Sequence, residues 1–288
     1  MKPQFKHKAM SSFLMWFDNR FLVKGEAFVN VDDIKMFPHV DGRLPNTYST
    51  YGSPYKAWVA DESIVGAAIA KNAVFKDHLG NILDHADFEI DYENGRILST
   101  VLSSSFDYVT ASSVAIKELN VYPTNDTEED LIIEAQADLL VQSWYPDGEA
   151  DNKAIEPYDK VIPAAFLSIE RGKNIPYALG GTDNTMYTAK AVVFTKEPFE
   201  LDCVLGVFED SVRTQVPVLE FEDMPFNAYG DLKGNFDYET LRASKETCLF
   251  MDDIESSKMT DVVRKKVAPN FYVGFLEFDM SVPRFPRD

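Results

Sequence analysis

The residues best suited to chemistry are two histidines in the aspartate-rich segment 77–91. His78 and His85 lie there among three aspartates, Asp77, Asp84 and Asp87. Imidazole and carboxylate groups together bind divalent cations, and the same groups act as acid and base in hydrolases. The chain has no H-E-x-x-H motif and no pair of histidines one helical turn apart, so the spacing sets no metal geometry. A cation site and a hydrolase stay open here as alternatives that the sequence does not favour.

Other chemical motifs are missing or incomplete. Neither glycine-rich phosphate motif nor a G-x-S-x-G elbow occurs, and Gly180-Gly181-Thr182-Asp183 predicts a turn. Cys203 and Cys248 each lie among apolar residues, which predicts small buried side chains and not nucleophiles. The acidic pairs Asp32-Asp33 and Asp252-Asp253 arise by chance among 47 acids and predict solvated turns. We therefore expect no catalytic, cofactor-binding or metal-binding residue and no enzymatic activity.

The composition excludes several classes of protein. The 288 residues include 28 Lys and Arg against 47 Asp and Glu, a formal charge of −19. Phosphates attract Lys and Arg, so we expect no sequence-specific nucleic-acid binding and no attachment to anionic membranes. Two cysteines cannot form a disulfide scaffold, and they favour a reducing compartment. With 45% hydrophobic residues, the chain can bury a core, and we expect a soluble folded protein.

In the N-terminal 25 residues, Lys2, Lys6 and Lys8 precede an apolar stretch, Ala9–Phe17. This stretch is too short to cross a membrane and runs into Asp18, without the small-residue cleavage site of a secretory signal. An interfacial membrane helix is disfavoured by the acidic chain. The segment predicts a docking arm or a first helix, with four aromatic residues facing the core or a neighbour: Phe13, Trp16, Phe17 and Phe21.

The clearest local pattern predicts a β-hairpin between Asp87 and Ser99. Phe88, Ile90 and Tyr92 alternate with acidic residues, which gives a strand one apolar and one acidic face. Asn94-Gly95 supplies two residues that tolerate positive φ angles, as the two-residue type I′ turn requires.

The rest of the chain reads as short strands with few helices. Apolar residues at helical spacing from Leu201 to Val212, between Pro198 and Pro217, predict a helix. Thr127–Ser143 is ambiguous between helix and strand, with a slight preference for helix. Phe271–Met280 is apolar on both faces, which predicts a central strand or one buried against a partner subunit. Further strands are predicted at Glu26–Val31, Tyr55–Ala60, Ala115–Val121, Val161–Ile169 and Thr188–Thr195.

Together these patterns predict a β-rich α+β fold, with antiparallel sheets in a β-sandwich-like arrangement and one or two packed helices. The acidic, turn-rich residues 146–158 predict a linker or a long loop. They divide the chain into an N-terminal arm or helix (1–25), a β-rich part (26–145) and an α+β part (159–288). A single domain with a long surface loop is the alternative.

Several stretches together carry a family resemblance. They are YGSPYKAWV (51–59), IDYENGR (90–96), IPAAFL (162–167), PYALGGTD (176–183), LDCVLGVFEDS (201–211), PFNAYGDLK (225–233) and YVGFLEF (272–278). This series resembles virion structural proteins of tailed bacteriophages, of the kind found at the neck or tail. It covers most of the chain from about Tyr51 to the C-terminus.

The resemblance implies a non-enzymatic building block that is assembled in the host cytoplasm into a homo-oligomeric ring of the virion. Tail terminator, completion and connector proteins are the types we expect, with further neck or tail proteins as partners and no cofactor. Both termini are rich in aromatic residues and predict contacts with neighbours. The residues concerned are Phe13, Trp16, Phe17 and Phe21 at one end and Pro283, Arg284, Phe285 and Arg287 at the other.

Two other functions stay open at this point. A carbohydrate- or surface-binding β module of a phage fibre or an adhesin would stack sugar rings on Trp58, Trp144 and Tyr145. An unrecognised hydrolase would use the acids of residues 77–91 with His78 and His85.

Overall fold

The fold is that of a computed structural model, which describes residues 4–42, 44–45, 47–102, 106–137, 140–141, 160–176, 181–227, 232–243, 245–267 and 270–285. Within these residues the chain forms two six-stranded sheets, a pair of short strands and five α-helices. The predicted β-rich α+β fold is confirmed.

The N-terminal segment is a helix, α1 (Phe5–Lys24). Gln4 begins it with a capping interaction in which its backbone N–H donates to Nδ1 of His7 at 3.0 Å. Gly25 ends it, and its N–H donates to the carbonyl oxygen of Phe21 at 2.8 Å. Between these ends the sequence contains neither Gly nor Pro, and both would weaken a helix interior.

The first sheet is built entirely from residues 28–117, and every neighbouring pair of its strands is antiparallel. Its strands are β1 (Phe28–His39), β2 (Ser49–Gly52), β3 (Phe75–Asp77), β4 (Glu89–Asp91), β5 (Arg96–Ser99) and β6 (Val109–Lys117). They lie in the order β3-β6-β1-β2-β5-β4. The core of this sheet contains the fully buried Tyr51, Trp58 and Phe75.

The predicted hairpin is present as β4 and β5, but its turn differs from the prediction. Asp91 pairs with Arg96, so four residues connect the strands and not two. Gly95 has a φ of 60°, whereas Asn94 is not in the positive-φ region. The side chain of Asp91 holds this wider turn, because it accepts hydrogen bonds from the backbone and the side-chain amide of Asn94. A Cβ at Gly95 would lie 1.9 Å from the carbonyl oxygen of Tyr55, so only glycine fits there.

The predicted strand Tyr55–Ala60 is wrong. Ala57 has a φ of 52°, which interrupts an extended strand. The backbone N–H of Trp58 donates to Tyr92, and the next N–H, from Val59, donates to Ala115. The segment therefore crosses between the hairpin and β6 and adds a strand to neither.

The second half of the chain supplies the remaining strands and helices. The strands are β7 (Asn120–Pro123), β8 (Leu140–Val141), β9 (Val161–Ile162), β10 (Ala164–Pro176), β11 (Asp183–Thr195), β12 (Gln215–Pro217), β13 (Cys248–Lys258) and β14 (Tyr272–Arg284). The helices are α2 (Glu128–Ala137), α3 (Pro198–Glu209), α4 (Tyr238–Ala243) and α5 (Asp261–Val267).

Six of these strands form the second sheet, in the order β12-β13-β14-β11-β10-β7, and β8 and β9 pair only with each other. Only β7 and β10 pair in parallel, and the other neighbours are antiparallel.

The predicted helix after Pro198 is confirmed as α3, and the preference for helix after Thr127 is confirmed as α2. The strand that is apolar on both faces is β14. It lies in the interior of the sheet, which is the first of its two predicted environments. The predicted strand Ala115–Val121 instead spans the end of β6 and the start of β7.

One face of the second sheet is covered by α1 and α3, and aromatic rings fill the space between them. Phe17 stacks on Phe208 with ring centroids 3.9 Å apart, and Phe13 meets Phe278 of β14 edge to face at 5.1 Å. All four rings are fully buried. Each such ring removes a large apolar area from water, which makes this cluster a main source of stability.

Polar contacts join α1 to the first half of the chain as well. The side-chain amide of Asn19 donates to Oδ2 of the buried Asp61 at 2.8 Å, and Lys117 of β6 pairs with Asp18 at 2.7 Å. Oδ1 of Asp61 also accepts from the backbone N–H of Tyr238, where α4 begins. The N-terminal helix is thus part of the body of the protein.

The chain passes from the first sheet to the second between Lys117 and Asn120, at the end of β6. Each sheet has its own cluster of buried apolar residues. Residues 146–158, where the sequence predicts a linker, lie outside the described residues.

We expect replacement of Phe17 by Ala to lower the free energy of unfolding by about 3–5 kcal/mol, because it empties the stack on Phe208. Urea unfolding measures the loss. Val23→Ala, in the same helix but 47% exposed, is the control and should change stability by less than about 0.5 kcal/mol. Equal losses for the two variants would contradict a helix docked by its aromatic face.

Candidate functional site

The four N-terminal aromatic residues lie in the protein's own core. Phe13, Trp16, Phe17 and Phe21 are at most 7% exposed, and the last three pack beside Phe208. The core was one of their two predicted environments. A neighbouring subunit could reach these rings only if α1 left the sheet, so we base no partner contact on them.

The C-terminal candidates are divided between a strand end and the surface. Arg284, the last residue of β14, donates from Nε to Oγ1 of Thr185 at 2.8 Å, and its guanidinium lies 4.3 Å from the centre of the Phe5 ring. Pro283 is exposed, and Phe285 is 57% exposed. Arg287 lies outside the described residues. Among the aromatic candidates at the two termini, Phe285 is therefore the one whose side chain is exposed to solvent.

The aspartate-rich segment uses its first carboxylate to hold a turn. Oδ1 of Asp77 accepts hydrogen bonds from the backbone of Leu79 and Asn81, and Oδ2 accepts one from the side-chain amide of Asn81, all at 2.9 Å. The side-chain hydrogen bond from Asn81 is the main cause that lowers the pKa of Asp77. This carboxylate is therefore already fully engaged within its own loop.

The two histidines of this segment have different surroundings. His85 lies between the rings of Phe75 and Phe88, and its Nε2 is 2.9 Å from the carbonyl oxygen of Ala73. His78 packs beside Phe106 and Tyr108. Across the described residues, no three side chains of His, Cys, Asp or Glu are grouped as a metal ion requires.

A cleft of about 1140 Å³ opens beside the β4–β5 hairpin, and a buried charge network forms one of its walls. Nη1 of Arg96 donates to Oδ2 of Asp41 at 2.8 Å, while Nε donates to Oδ2 of Asp91 at 2.7 Å. Arg96 is 5% exposed and Asp41 is 7% exposed. No sequence pattern pointed to this network, because Asp41 and Arg96 are 55 residues apart in the chain.

The network fastens the end of β1 to the hairpin. A guanidinium between two carboxylates retains no net positive charge for an anionic ligand. The rest of the cleft presents both signs of charge, because Lys71, Lys233 and Glu89 all line it. We therefore interpret the network as structural and assign no ligand to the cleft.

The cysteines differ from their predicted environments. Cys203 is exposed on α3, so the prediction that it is buried is wrong, because it faces away from the sheet that Leu201 and Leu205 contact. Cys248 is half-buried at the start of β13, and burial raises its thiol pKa. A raised pKa keeps the thiol protonated and makes it a poor nucleophile.

Trp58 does not meet the requirement of a carbohydrate platform. It is fully buried beneath the hairpin and packs in the core, so the alternative in which a sugar stacks on this ring does not hold for Trp58. Trp144 and Tyr145 lie outside the described residues.

The exposed candidate surface is formed by two strand edges of the second sheet. β7 covers only Ala164–Leu167 of β10, and β12 covers only Cys248–Phe250 of β13. Beyond these pairings, no described strand pairs with the outer edges of residues 168–176 or 252–258. Unpaired strand edges can bind another strand through backbone hydrogen bonds. The signal in the sequence was Arg171-Gly172-Lys173, because charged residues are typical of exposed edges.

Comparison with known proteins identifies no relative: no family model matches the chain, and no curated protein matches it.

None of the helices in the described part of the chain has the length and apolar character needed to cross a bilayer.

We expect Arg96→Met to lower the free energy of unfolding by about 3–5 kcal/mol, because it leaves the buried Asp41 and the half-buried Asp91 without their cation. The matched control is Arg242→Met, which breaks an exposed pair with Glu239 and should cost less than about 1 kcal/mol. Chemical denaturation of both variants gives the two values. A similar small loss in both would show that the buried network contributes little.

Stability should fall at alkaline pH because of Tyr92. Burial raises the pKa of this 3% exposed phenol to about 12, whereas an unfolded chain has a value of about 10. The unfolded state therefore loses its proton first, and the contribution of Tyr92 to stability falls between about pH 10 and about pH 12 by about 1.4 kcal/mol per pH unit. Tyr122 and Tyr238, whose pKa values burial also raises, add to the loss.

Unfolding at several pH values tests the role of Tyr92. Tyr92→Phe should reduce the loss of stability above pH 10. The control Tyr48→Phe, at a position that is 37% exposed, should have the same pH profile of stability as the original protein. An unchanged profile for Tyr92→Phe would contradict the assignment.

Proposed function

We propose that the chain is a structural subunit of a tailed-phage virion, a neck or tail ring component of the terminator, completion or connector type. It is assembled in the host cytoplasm and acts by binding copies of itself and other neck or tail proteins. No catalytic step and no cofactor enters this function. The observation that carries it is the pair of partly covered strand edges on the second sheet.

Exposed edges of this length support a role in assembly. A flat exposed strand invites unspecific aggregation, so proteins generally cover such edges or use them for a defined contact. β10 is 13 residues long, and its pairing with β7 ends at Leu167. All residues from Glu170 to Pro176 are exposed. This edge is therefore ready for a partner strand without any rearrangement of the core.

The charge of the chain is compatible with controlled assembly. A formal charge of −19 makes free subunits repel one another, and the repulsion is screened within about 10 Å at moderate salt. Association then depends on short-range contacts at matched surfaces. An acidic inner surface of a ring would also let DNA pass without adhering, because both carry negative charge.

The sequence resemblance to phage neck and tail proteins supports the same function. The exposed Phe285 at the C-terminal end of β14 adds an apolar contact point beside the sheet. Aromatic side chains of this kind are enriched where protein surfaces meet.

Electron microscopy of the purified full-length chain tests the proposal. We expect closed rings with a central opening, because cyclic symmetry is the usual outcome when identical subunits join. Mass spectrometry of purified virions should find the chain in a fixed copy number. Monomers alone at every protein concentration, together with absence from virions, would overturn the proposed function.

A further inference from the structure

We propose that copies of this chain join head to tail by pairing the edge of β10 in one subunit with the edge of β13 in the next. The paired segments are residues 170–176 and 252–258. The pairing continues the second sheet from one subunit into its neighbour. This inference deepens the proposed function, because it names the surface and the partner through which a ring would form.

Neither segment has a described strand along its outer side. Each begins at a bulge, where one extra residue, Glu170 in β10 and Asp252 in β13, shifts the register with the inner neighbour. From each bulge to the end of its strand there are seven residues, and no described strand lies along their outer side. Two segments of seven residues can lie side by side over their whole length.

The directions of the strands are also suited to pairing. β13, β14, β11 and β10 alternate in direction, so β10 and β13 run in opposite directions at the two sides of the sheet. A neighbour in the same orientation therefore presents its β13 antiparallel to β10. The two contact surfaces are different, and such a contact produces rings or filaments, not isolated two-fold dimers.

The side chains of Lys173 and Glu255 lie on the same face of the sheet. In the sheet, Lys173 lies opposite Met186 of β11. Glu255 lies opposite Glu277 of β14, which in turn lies opposite Lys190 of β11. Met186 and Lys190 are four residues apart, so they share a face. The ladder that places Lys173 opposite Glu255 pairs all seven residues of each segment and keeps every side chain on its own face.

Charge then favours this ladder. On the shared face, β10 presents Arg171 and Lys173, and β13 presents Asp253 and Glu255. Lys173 lies opposite Glu255, and the other two charges lie diagonally within reach of them. Within the described residues, Arg171, Lys173 and Glu255 form no ion pair, so their charges are available to a partner.

The positions of the free segments suggest a curved assembly. Within one subunit, the strand pairing of the second sheet places Lys173 in the same row as Phe250 of β13. In the proposed contact, Lys173 instead lies opposite Glu255 of the neighbouring subunit. Successive subunits are thus displaced along the strands by about four residue steps, roughly 13 Å. Sheets that close on themselves require such a stagger, and their strands are tilted to the axis.

Charge reversal tests the contact, with Lys173→Glu and Glu255→Lys as the two variants. Both positions are exposed, so the fold should be retained, which an unfolding curve verifies. We expect each variant to associate about 2- to 30-fold more weakly by sedimentation velocity. An equimolar mixture of the two variants, and the double variant, should associate like the original chain. Lys24→Glu and Glu222→Lys, which reverse charges away from the ladder, should have no effect.

Two outcomes would overturn the inference: a monomeric original chain at all concentrations, or association that the reversals leave unchanged or their combination does not restore. These results are distinct from a failure of the proposed function. Charge-dependent association of a chain that is absent from virions would overturn the function and support the edge contact. A virion ring that is insensitive to both reversals would support the function and overturn the contact.

Discussion

Burial of the aromatic face of α1 against Phe208 and Phe278 is the interaction on which the arrangement of both sheets depends. Phe17 stacks directly on Phe208, which fixes the helix on the second sheet. The other contacts of the helix reach the first half of the chain, where Asn19 donates to Asp61. The helix is thus anchored by apolar burial on one side and by buried hydrogen bonds on the other. Moving it to a neighbouring subunit would remove both.

Many of the acids that first suggest chemistry hold the backbone in place. Asp61, Asp77 and Asp91 each accept several hydrogen bonds from nearby backbone or side-chain donors. Such bonds offset the cost of taking a carboxylate out of water. Asp61 thereby joins α1 to the start of α4, whereas Asp77 and Asp91 each hold their own turn. Many of the other described acids lie on the surface, where the net charge keeps copies apart until a specific contact forms.

The anchored helix and the hydrogen-bonded loops hold the body together up to the sides of the second sheet. At these sides the strand pairing is incomplete, because β7 and β12 are much shorter than β10 and β13, with which they pair. The parts of β10 and β13 that extend beyond them keep their extended form through pairing with β11 and β14. A preformed edge of this kind loses little conformational freedom when it pairs, which is the condition for a specific contact between copies.

The sequence by itself determined the elements whose signals are local. Apolar spacing and Pro198 indicated α3, alternation and Asn94-Gly95 indicated the hairpin, and the frequency of short apolar runs indicated a β-rich fold. Only the tertiary structure decided how these elements are used. It buried Trp58 and the rings of α1, widened the hairpin turn through Asp91, and left parts of the edges of β10 and β13 without a neighbour among the described strands. The physical reason is distance along the chain: Phe17 meets Phe208, and Arg96 meets Asp41, through contacts that no local pattern encodes.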